Sequence, residues 1–145
     1  MERAAYPHHL AITLRWKDND VYGHVNNVEY YSFFDTVIND FLIRSGGLDI
    51  HGGEVIGLCV DSQCTFKQPL EFPGVVDAGL RCAQLGNSSV RYEIALFRED
   101  STHPAATGRF VHVFVDRTNR RPVPVPALIR TALEGITAPG GRDSA

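Results

Sequence analysis

Large apolar residues occupy every second position near the start of the chain, and further along they recur every three or four positions. The alternation covers 10–16 and predicts a half-buried β-strand. The longer spacing follows a polar segment and predicts one buried face of an α-helix over 27–45. Asn26 is its predicted N-cap, Glu29 stands in the capping-box position, and the glycine pair 46–47 ends it. The predicted buried face comprises Val28, Tyr31, Phe34, Ile38, Phe41 and Leu42.

Four further segments have the composition of strands, and no second long helix lies among them. Short turns join these segments, which favours antiparallel pairing. The last of them is apolar on both faces, as expected of an interior strand. Pro126 is suited to the first position of a short helix over 127–134. One apolar helix and one antiparallel sheet must bury each other, so we predict an α+β fold. The predicted strands are 55–66, 75–85, 89–97 and 107–116.

Length and composition indicate one domain. The chain has 145 residues, of which 43% are hydrophobic and 21% charged, as is ordinary for a globular protein. We expect a single domain over 1–137, followed by a disordered tail over 138–145.

Charge and hydropathy exclude several classes of function. The net charge of −3 provides no general attraction to nucleic acid or to an anionic membrane. No apolar run approaches the roughly 18 residues of a membrane span, and the N-terminus lacks the apolar core of a secretory signal. We therefore expect a cytoplasmic protein with no nucleic-acid or membrane partner. The three cysteines form no C-x-x-C pair, and we interpret them as reduced, small hydrophobic residues.

The segment between the first strand and the long helix carries the chemistry. From Asp18 to Asn27 it reads Asp-Asn-Asp-Val-Tyr-Gly-His-Val-Asn-Asn. An acid just before a helix N-terminus can act on a group whose developing negative charge the N-terminus stabilises. The segment therefore indicates attack on a carbonyl group. Asp20 is the candidate acid, and Asp18 is interpreted as structural.

This segment resembles the Asp-x-Asp-x-x-Gly motif of the hot-dog-fold acyl-CoA thioesterases of the 4-hydroxybenzoyl-CoA thioesterase type. In that family a strand, the motif and one central helix follow one another. The resemblance covers about 10–126, with supporting matches at 67–70, 87–89 and 121–126. It implies a hot-dog fold, in which an antiparallel sheet of about five strands wraps around the long helix. It also implies active sites between protomers, so we expect a homo-oligomer, either a dimer or a homotetramer.

The resemblance further implies the reaction and the roles of two residues. An acyl-CoA thioester would be hydrolysed to a free carboxylic acid and CoA. Asp20 matches the catalytic aspartate of the family and would act as a nucleophile or as a general base. The backbone N–H of Asn27 matches the family's oxyanion donor. CoA is part of the substrate, and no metal or other cofactor is implied.

Two neighbouring residues are further candidates for the site. His24 could act as a second acid or base, since histidine titrates near neutrality, or it could simply pack at the helix entrance. Asn26 could position water or substrate in addition to capping the helix. The other histidines show no metal-ligand spacing.

One departure from the family concerns the CoA nucleotide. The family member that acts on an aromatic acyl-CoA carries a basic cluster on the turn before the fourth strand. The matching stretch here, 86–88, is uncharged. Arg91, Arg98, Arg120 and Arg121 could replace that cluster, and the sequence does not select among them. The identity of the acyl group therefore stays open.

The sequence bears differently on three alternative functions. A thioesterase for acyl carrier protein would use the same residues. A non-catalytic acyl-CoA-binding module is expected to have lost the acid at position 20, which is present here. A hot-dog hydratase needs its own motif of Asp and His after the first helix, and none is found.

Overall fold

The computed structural model describes residues 2–137, which form one five-stranded antiparallel sheet and two α-helices. The predicted tail, 138–145, lies outside the described residues. The strand order β1-β3-β4-β5-β2 places β4 at the centre and leaves β1 and β2 at the edges. The strands are β1 (His8–Thr13), β2 (Val55–Phe66), β3 (Val75–Leu85), β4 (Ser89–Arg98) and β5 (Ala106–Asp116), and the helices are α1 (Asn27–Arg44) and α2 (Ala127–Glu134).

Helix α1 packs across one face of the sheet. Phe34, Val37, Ile38 and Leu42 are completely buried, and their spacing places them on one face of the helix. Gly108 of β5 lies directly beneath the Phe34 ring, where a Cβ atom would overlap the ring. Burial of this helix in the sheet confirms the predicted α+β class and the hot-dog fold.

The buried face of α1 is rotated relative to the predicted one. Val28 and Tyr31 were assigned to the buried face, but they are 71% and 39% exposed. Tyr30 and Phe33 are buried in their place. A single chain provides a sheet on only one side of α1, so its first two turns keep a second apolar surface outside the core.

Strand β1 lies at 8–13 rather than at 10–16. The chain leaves the sheet after Thr13 and forms a short 3₁₀ turn, Trp16–Asp18. The alternating pattern extends further because Leu14 is buried outside the sheet. Trp16 is exposed, and its ring meets that of Phe72 edge to face at 5.8 Å.

Edge strand β2 contains a β-bulge that changes which face its cysteines occupy. The register with β5 shifts directly after Cys59. Cys59 lies opposite His112 and Cys64 opposite Gly108, so both cysteines lie on the α1 side of the sheet. On a regular strand, residues five positions apart lie on opposite faces, but the extra residue of the bulge reverses the alternation. Burial raises the pKa of Cys64 to about 11, which makes it a poor nucleophile.

The helix ends differ from the predictions only in detail. Pro126 is the N-cap of α2 rather than its first residue. Ser45 is the C-cap of α1, and Gly47 follows with a φ of +69°, a value that favours glycine. Neither helix within 2–137 has the length and apolar character needed to cross a membrane.

Candidate active site

The loop between β1 and α1 is anchored by a buried carboxylate. The Asp18 side chain has no exposed surface. Its Oδ2 accepts a hydrogen bond from the Arg15 N–H at 2.7 Å, and its Oδ1 accepts one from the Arg15 guanidinium at 3.0 Å. The Asp18 carbonyl oxygen accepts a hydrogen bond from the Asn26 N–H at 2.8 Å. Asp18 thereby joins the two ends of the loop, which is a structural position.

Asp20 stands on a tight turn beside this anchor. Its N–H donates to the carbonyl of His24 at 2.9 Å, and its own carbonyl accepts from the Gly23 N–H at 3.1 Å. Gly23 has a φ of +86°, which explains the glycine at this position. Asp20 Oδ1 accepts from the Tyr22 N–H at 2.8 Å. Oδ2 has no hydrogen-bond partner within residues 2–137, so one carboxylate oxygen is fixed and the other can meet a substrate.

The N-terminus of α1 leaves one N–H group unoccupied. Asn26 Oδ1 accepts from the Val28 N–H at 3.0 Å, and the Asn26 carbonyl accepts from the Glu29 N–H at 2.9 Å. The first helical N–H, that of Asn27, has no acceptor in the described part of the chain. The positive end of the helix dipole lies here, so this N–H is a suitable donor to a negatively charged oxygen.

Asn26 is confirmed as the N-cap, but the second half of the predicted capping box is not formed. The Asn26 N–H donates to Asp18, so it is not available to Glu29. The Glu29 carboxylate instead lies 3.5 Å from Lys17 Nζ and 3.9 Å from Arg15 Nη2. These contacts tie the first turn of α1 to the loop that precedes it.

The predicted site residues line two depressions rather than one. Asp20 and Asn26 line a cleft of about 780 Å³, which we call the loop cleft. His24 and Asn27 line a second cleft of about 290 Å³, which we call the helix cleft. Consecutive residues of the motif therefore face different spaces in a single chain. The other residues around the loop cleft are Trp16, Lys17, Asn19, Val21, Tyr22 and Gly23.

The helix cleft contains residues that the sequence did not single out. Its wall includes Tyr30, whose ring meets that of Phe66 edge to face at 4.8 Å. Burial raises the pKa of Tyr30. Lys67 also lines this cleft and has no ion-pair partner among the described residues. The sequence signal for these cleft residues was the match of 67–70 to the family. The last carbonyl of that segment, that of Leu70, accepts a hydrogen bond from the Val25 N–H at 2.7 Å.

His24 lines the helix cleft and does not line the cleft of Asp20. Its imidazole is about half exposed, and its Nε2 lies 4.0 Å from an oxygen of the exposed Glu71 carboxylate. Its backbone carbonyl closes the turn that carries Asp20. His24 is thus tied to Asp20 through the backbone, although the two residues line different clefts.

The four arginines considered for the CoA phosphates do not line either cleft in the described structure. The turn at 86–88 has no charged residue of its own, but an arginine side chain from a helix binds to it. Arg130 of α2 donates from Nη2 to the Gly86 carbonyl at 2.6 Å and to the Asn87 carbonyl at 3.2 Å. Sequence comparison of the turn alone could not reveal this arginine, because it lies more than 40 positions away in the chain.

Residues 2–137 contain no cluster of three or more His, Cys, Asp and Glu side chains that could hold a metal ion. His112 is buried in the core, and its Nδ1 lies 3.1 Å from the Tyr92 hydroxyl. Burial lowers the pKa of His112 to about 4. This histidine is therefore a neutral, packed residue.

Comparisons with known proteins agree with this architecture. The sequence model of the Thioesterase-like superfamily (4HBT_2) matches residues 14–133. The crystal structure of the PA5185 protein from Pseudomonas aeruginosa PAO1 is 55% identical, with 94% of this chain and 96% of that chain covered and a TM-score of 0.93. The PA2801 protein from Pseudomonas aeruginosa, a proposed thioesterase, is 30% identical, with 88% and 98% covered and a TM-score of 0.82.

A more distant structure has the same fold. Slr0204, a 1,4-dihydroxy-2-naphthoyl-CoA thioesterase from Synechocystis, is 17% identical, with 86% and 93% of the two chains covered and a TM-score of 0.78. No curated protein matches the chain in sequence. The superfamily match covers most of the chain, including the loop of Asp20, the whole of α1 and strands β2 to β5. The chain therefore belongs to the thioesterase-like superfamily and is a hot-dog-fold thioester hydrolase.

Proposed function

We propose that the substrate is an acyl-CoA, which the protein hydrolyses to a free carboxylic acid and CoA. The observation that carries this proposal is the unoccupied Asn27 N–H at the start of α1, in the helix cleft, together with the Asp20 carboxylate in the neighbouring loop cleft, one of whose oxygens has no partner among the described residues. An acyl-CoA is also the substrate in the name of Slr0204, a protein of the same fold. The reaction as proposed calls for no metal or redox cofactor.

The Asn27 N–H would bind the thioester carbonyl oxygen and stabilise the negative charge that develops on it during attack. Asp20 would supply the attacking group in one of two ways. As a nucleophile, its free oxygen attacks the carbonyl carbon, CoA leaves as the thiolate, and water hydrolyses the resulting mixed anhydride. As a general base, it removes a proton from a water molecule, which attacks the carbonyl carbon itself, and the C–S bond then breaks to release CoA as the thiolate.

His24 and Asn26 support this chemistry in different ways. His24 and Asn27 line the same cleft, where His24 would serve as a second acid or base for a bound group. The Asn26 side chain occupies the Val28 N–H, and this keeps the neighbouring Asn27 N–H as the one left for a ligand. Asn26 thus defines the oxyanion site without donating to the substrate through its own side chain.

We further propose that the active protein is a homo-oligomer whose protomers meet at the β2 edge. An unpaired edge strand with apolar side chains tends to be covered in native proteins. In β2, Val60 is 60% and Phe66 45% exposed. On α1, Val28 and Tyr31 are also exposed. A second copy would cover these residues and add walls to clefts that are open in one chain.

The substrate class is tested by comparing acyl carriers at constant acyl group. A panel of aliphatic and aromatic acyl-CoAs would be assayed by thiol release, in the presence of a metal chelator. The best acyl group would then be presented on CoA, on N-acetylcysteamine and on holo-acyl carrier protein. We expect the highest kcat/KM with CoA. Faster hydrolysis of the acyl carrier protein thioester would favour that alternative, and no hydrolysis of any acyl-CoA would refute the proposal.

A further inference from the structure

Asp18 is the only Asp, Glu, Lys or Arg side chain that is buried within residues 2–137. Burying a carboxylate is unfavourable unless it is paired and hydrogen-bonded. A buried ion pair often adds little to stability compared with apolar residues of similar volume. Stability alone therefore does not explain why a carboxylate occupies this position.

The contacts of Asp18 all lead to the segments that carry the proposed catalytic groups. Its carboxylate binds both the backbone N–H and the guanidinium of Arg15, where the chain leaves β1. Its carbonyl binds the Asn26 N–H, one residue before the proposed oxyanion donor. Asp20 follows two residues later in the chain. The same Arg15 guanidinium lies 3.9 Å from Glu29, in the first turn of α1.

From this geometry we infer that Arg15 and Asp18 act as a positioning pair for the proposed hydrolysis, and the inference rests on that proposed function. The pair fixes the loop that joins the two clefts, and so keeps the distance between the Asp20 carboxylate and the Asn27 N–H constant. Neither Arg15 nor Asp18 touches the reacting atoms in this arrangement. Misplacement of a catalytic group by about 1 Å can lower a rate by about 10²-fold, so a loosened loop would slow the reaction without removing any reacting group.

The test compares the Arg15–Asp18 pair, in the segment before α1, with an ion pair near the C-terminal end of α1. Asp18→Asn removes the charge but keeps an oxygen that can accept from the Arg15 N–H, and Arg15→Gln removes the guanidinium. Arg44→Gln is the control, because Arg44 pairs with Asp40 at 2.7 Å at the far end of α1. At equal folded fraction, we expect kcat to fall by about 10- to 100-fold in the two loop variants and to be unchanged in the control.

Three readouts separate positioning from a purely structural role. The loss should appear in kcat, with KM changed by less than about threefold, since the binding surfaces remain. The double variant should lose no more kcat than the worse single variant, because the two residues act as one unit. Arg15→Lys, which keeps the charge, should recover part of the kcat that Arg15→Gln loses.

The inference is overturned if the loop variants retain the kcat of Arg44→Gln, if they change KM alone, or if the two losses multiply. If Asp18→Asn does not fold, the kcat of Arg15→Gln alone tests the inference. The Arg15 side chain is 56% exposed, so its replacement is expected to leave the protein folded. Asp20→Asn is measured alongside. If it keeps normal kcat, the proposed function and this inference both fail. If it is inactive while Arg15→Gln behaves like the control, only the positioning inference fails.

Discussion

The carboxamide oxygen of Asn26 lies 3.0 Å from the N–H of Val28, so the N-cap bond passes over the first residue of the helix. The Glu29 N–H is occupied by the Asn26 carbonyl. The Asn27 N–H between these two bonds remains for a ligand. Capping and oxyanion binding therefore belong to adjacent residues and can be separated by mutation.

Asn27→Pro should fold normally and lose most of its activity. Proline is well tolerated at the first helical position, and Asn26, with φ −62° and ψ 138°, already has the conformation favoured before proline. The substitution deletes only the N–H proposed to bind the thioester oxygen. Loss of one oxyanion donor lowers kcat by about 10²- to 10³-fold. Steady-state kinetics with the best acyl-CoA would measure the loss.

Asn27→Ala is the matched control, because it keeps the N–H and removes only the side chain. Both variants should be compared at equal folded concentration, checked by thermal melts. Equal hydrolysis by the two variants would show that the Asn27 backbone is not the oxyanion donor, even though the fold and superfamily would stand.

A charge on the exposed edge strand should disrupt the proposed oligomer. Val60→Lys places a cation in the middle of β2, where it opposes strand pairing between copies. We expect a shift toward monomer in sedimentation velocity at micromolar concentration, together with lower activity. Leu128→Lys is the control, since Leu128 is 74% exposed and lies on α2 rather than on β2. A wild-type protein that sediments as a stable, active monomer would contradict the proposal.

The boundaries of most elements were predictable because they are set by local signals. Strands β2 and β3 and helix α2 begin and end where predicted, since glycine and proline residues flank them. The orientation of α1 was not predictable to the same degree. Tyr30 and Tyr31 are chemically alike, and which of them is buried depends on the side from which the sheet approaches.

The candidate site was also predictable only in part. The order of Asp20, Asn26 and Asn27 before the helix could be read from the motif, and the N-cap is where it was expected. The hydrogen-bond partner of the Asn26 N–H could not be predicted from the motif. That partner is a backbone carbonyl eight residues earlier, and its position depends on how the loop folds. The 67–70 match to the family pointed to the segment of Lys67, but its place beside the helix N-terminus could not be predicted, since only folding brings the two together.

His112 should make the protein less stable in mildly acidic solution. Burial lowers its pKa to about 4, below the ordinary value of 6.5, so the unfolded chain binds a proton more readily than the folded one. The corresponding stability is fully present above about pH 6.5 and is lost as the pH falls toward 4. The pKa difference corresponds to roughly 3 kcal/mol in the free energy of unfolding.

Urea unfolding near pH 7.5 and pH 4.5 would measure this loss. His112→Gln retains an acceptor for the Tyr92 hydroxyl and cannot titrate, so its stability should depend less on pH than that of the wild type. The same pH dependence in both proteins would assign the effect to other groups, such as His8, whose pKa is also lowered by burial.

Gly108→Ala should destabilise the core. The added methyl group would overlap the Phe34 ring, which is completely buried and cannot move freely. Overpacking of this kind costs about 1–3 kcal/mol in the free energy of unfolding. Gly52→Ala, in an exposed loop, is the control and should change stability little. Equal denaturation midpoints for the two variants would contradict the close contact between α1 and β5.

The most direct test of the account is the kcat of Asp20→Asn with the best acyl-CoA. Asparagine keeps an oxygen that can accept from the Tyr22 N–H, so the turn should remain intact while the nucleophile or base is lost. Asp100→Asn, on the exposed turn between β4 and β5, controls for the change in net charge. We predict at least about a 10²-fold fall in kcat for Asp20→Asn and none for the control. A folded Asp20→Asn protein with near-normal kcat would contradict the proposed mechanism.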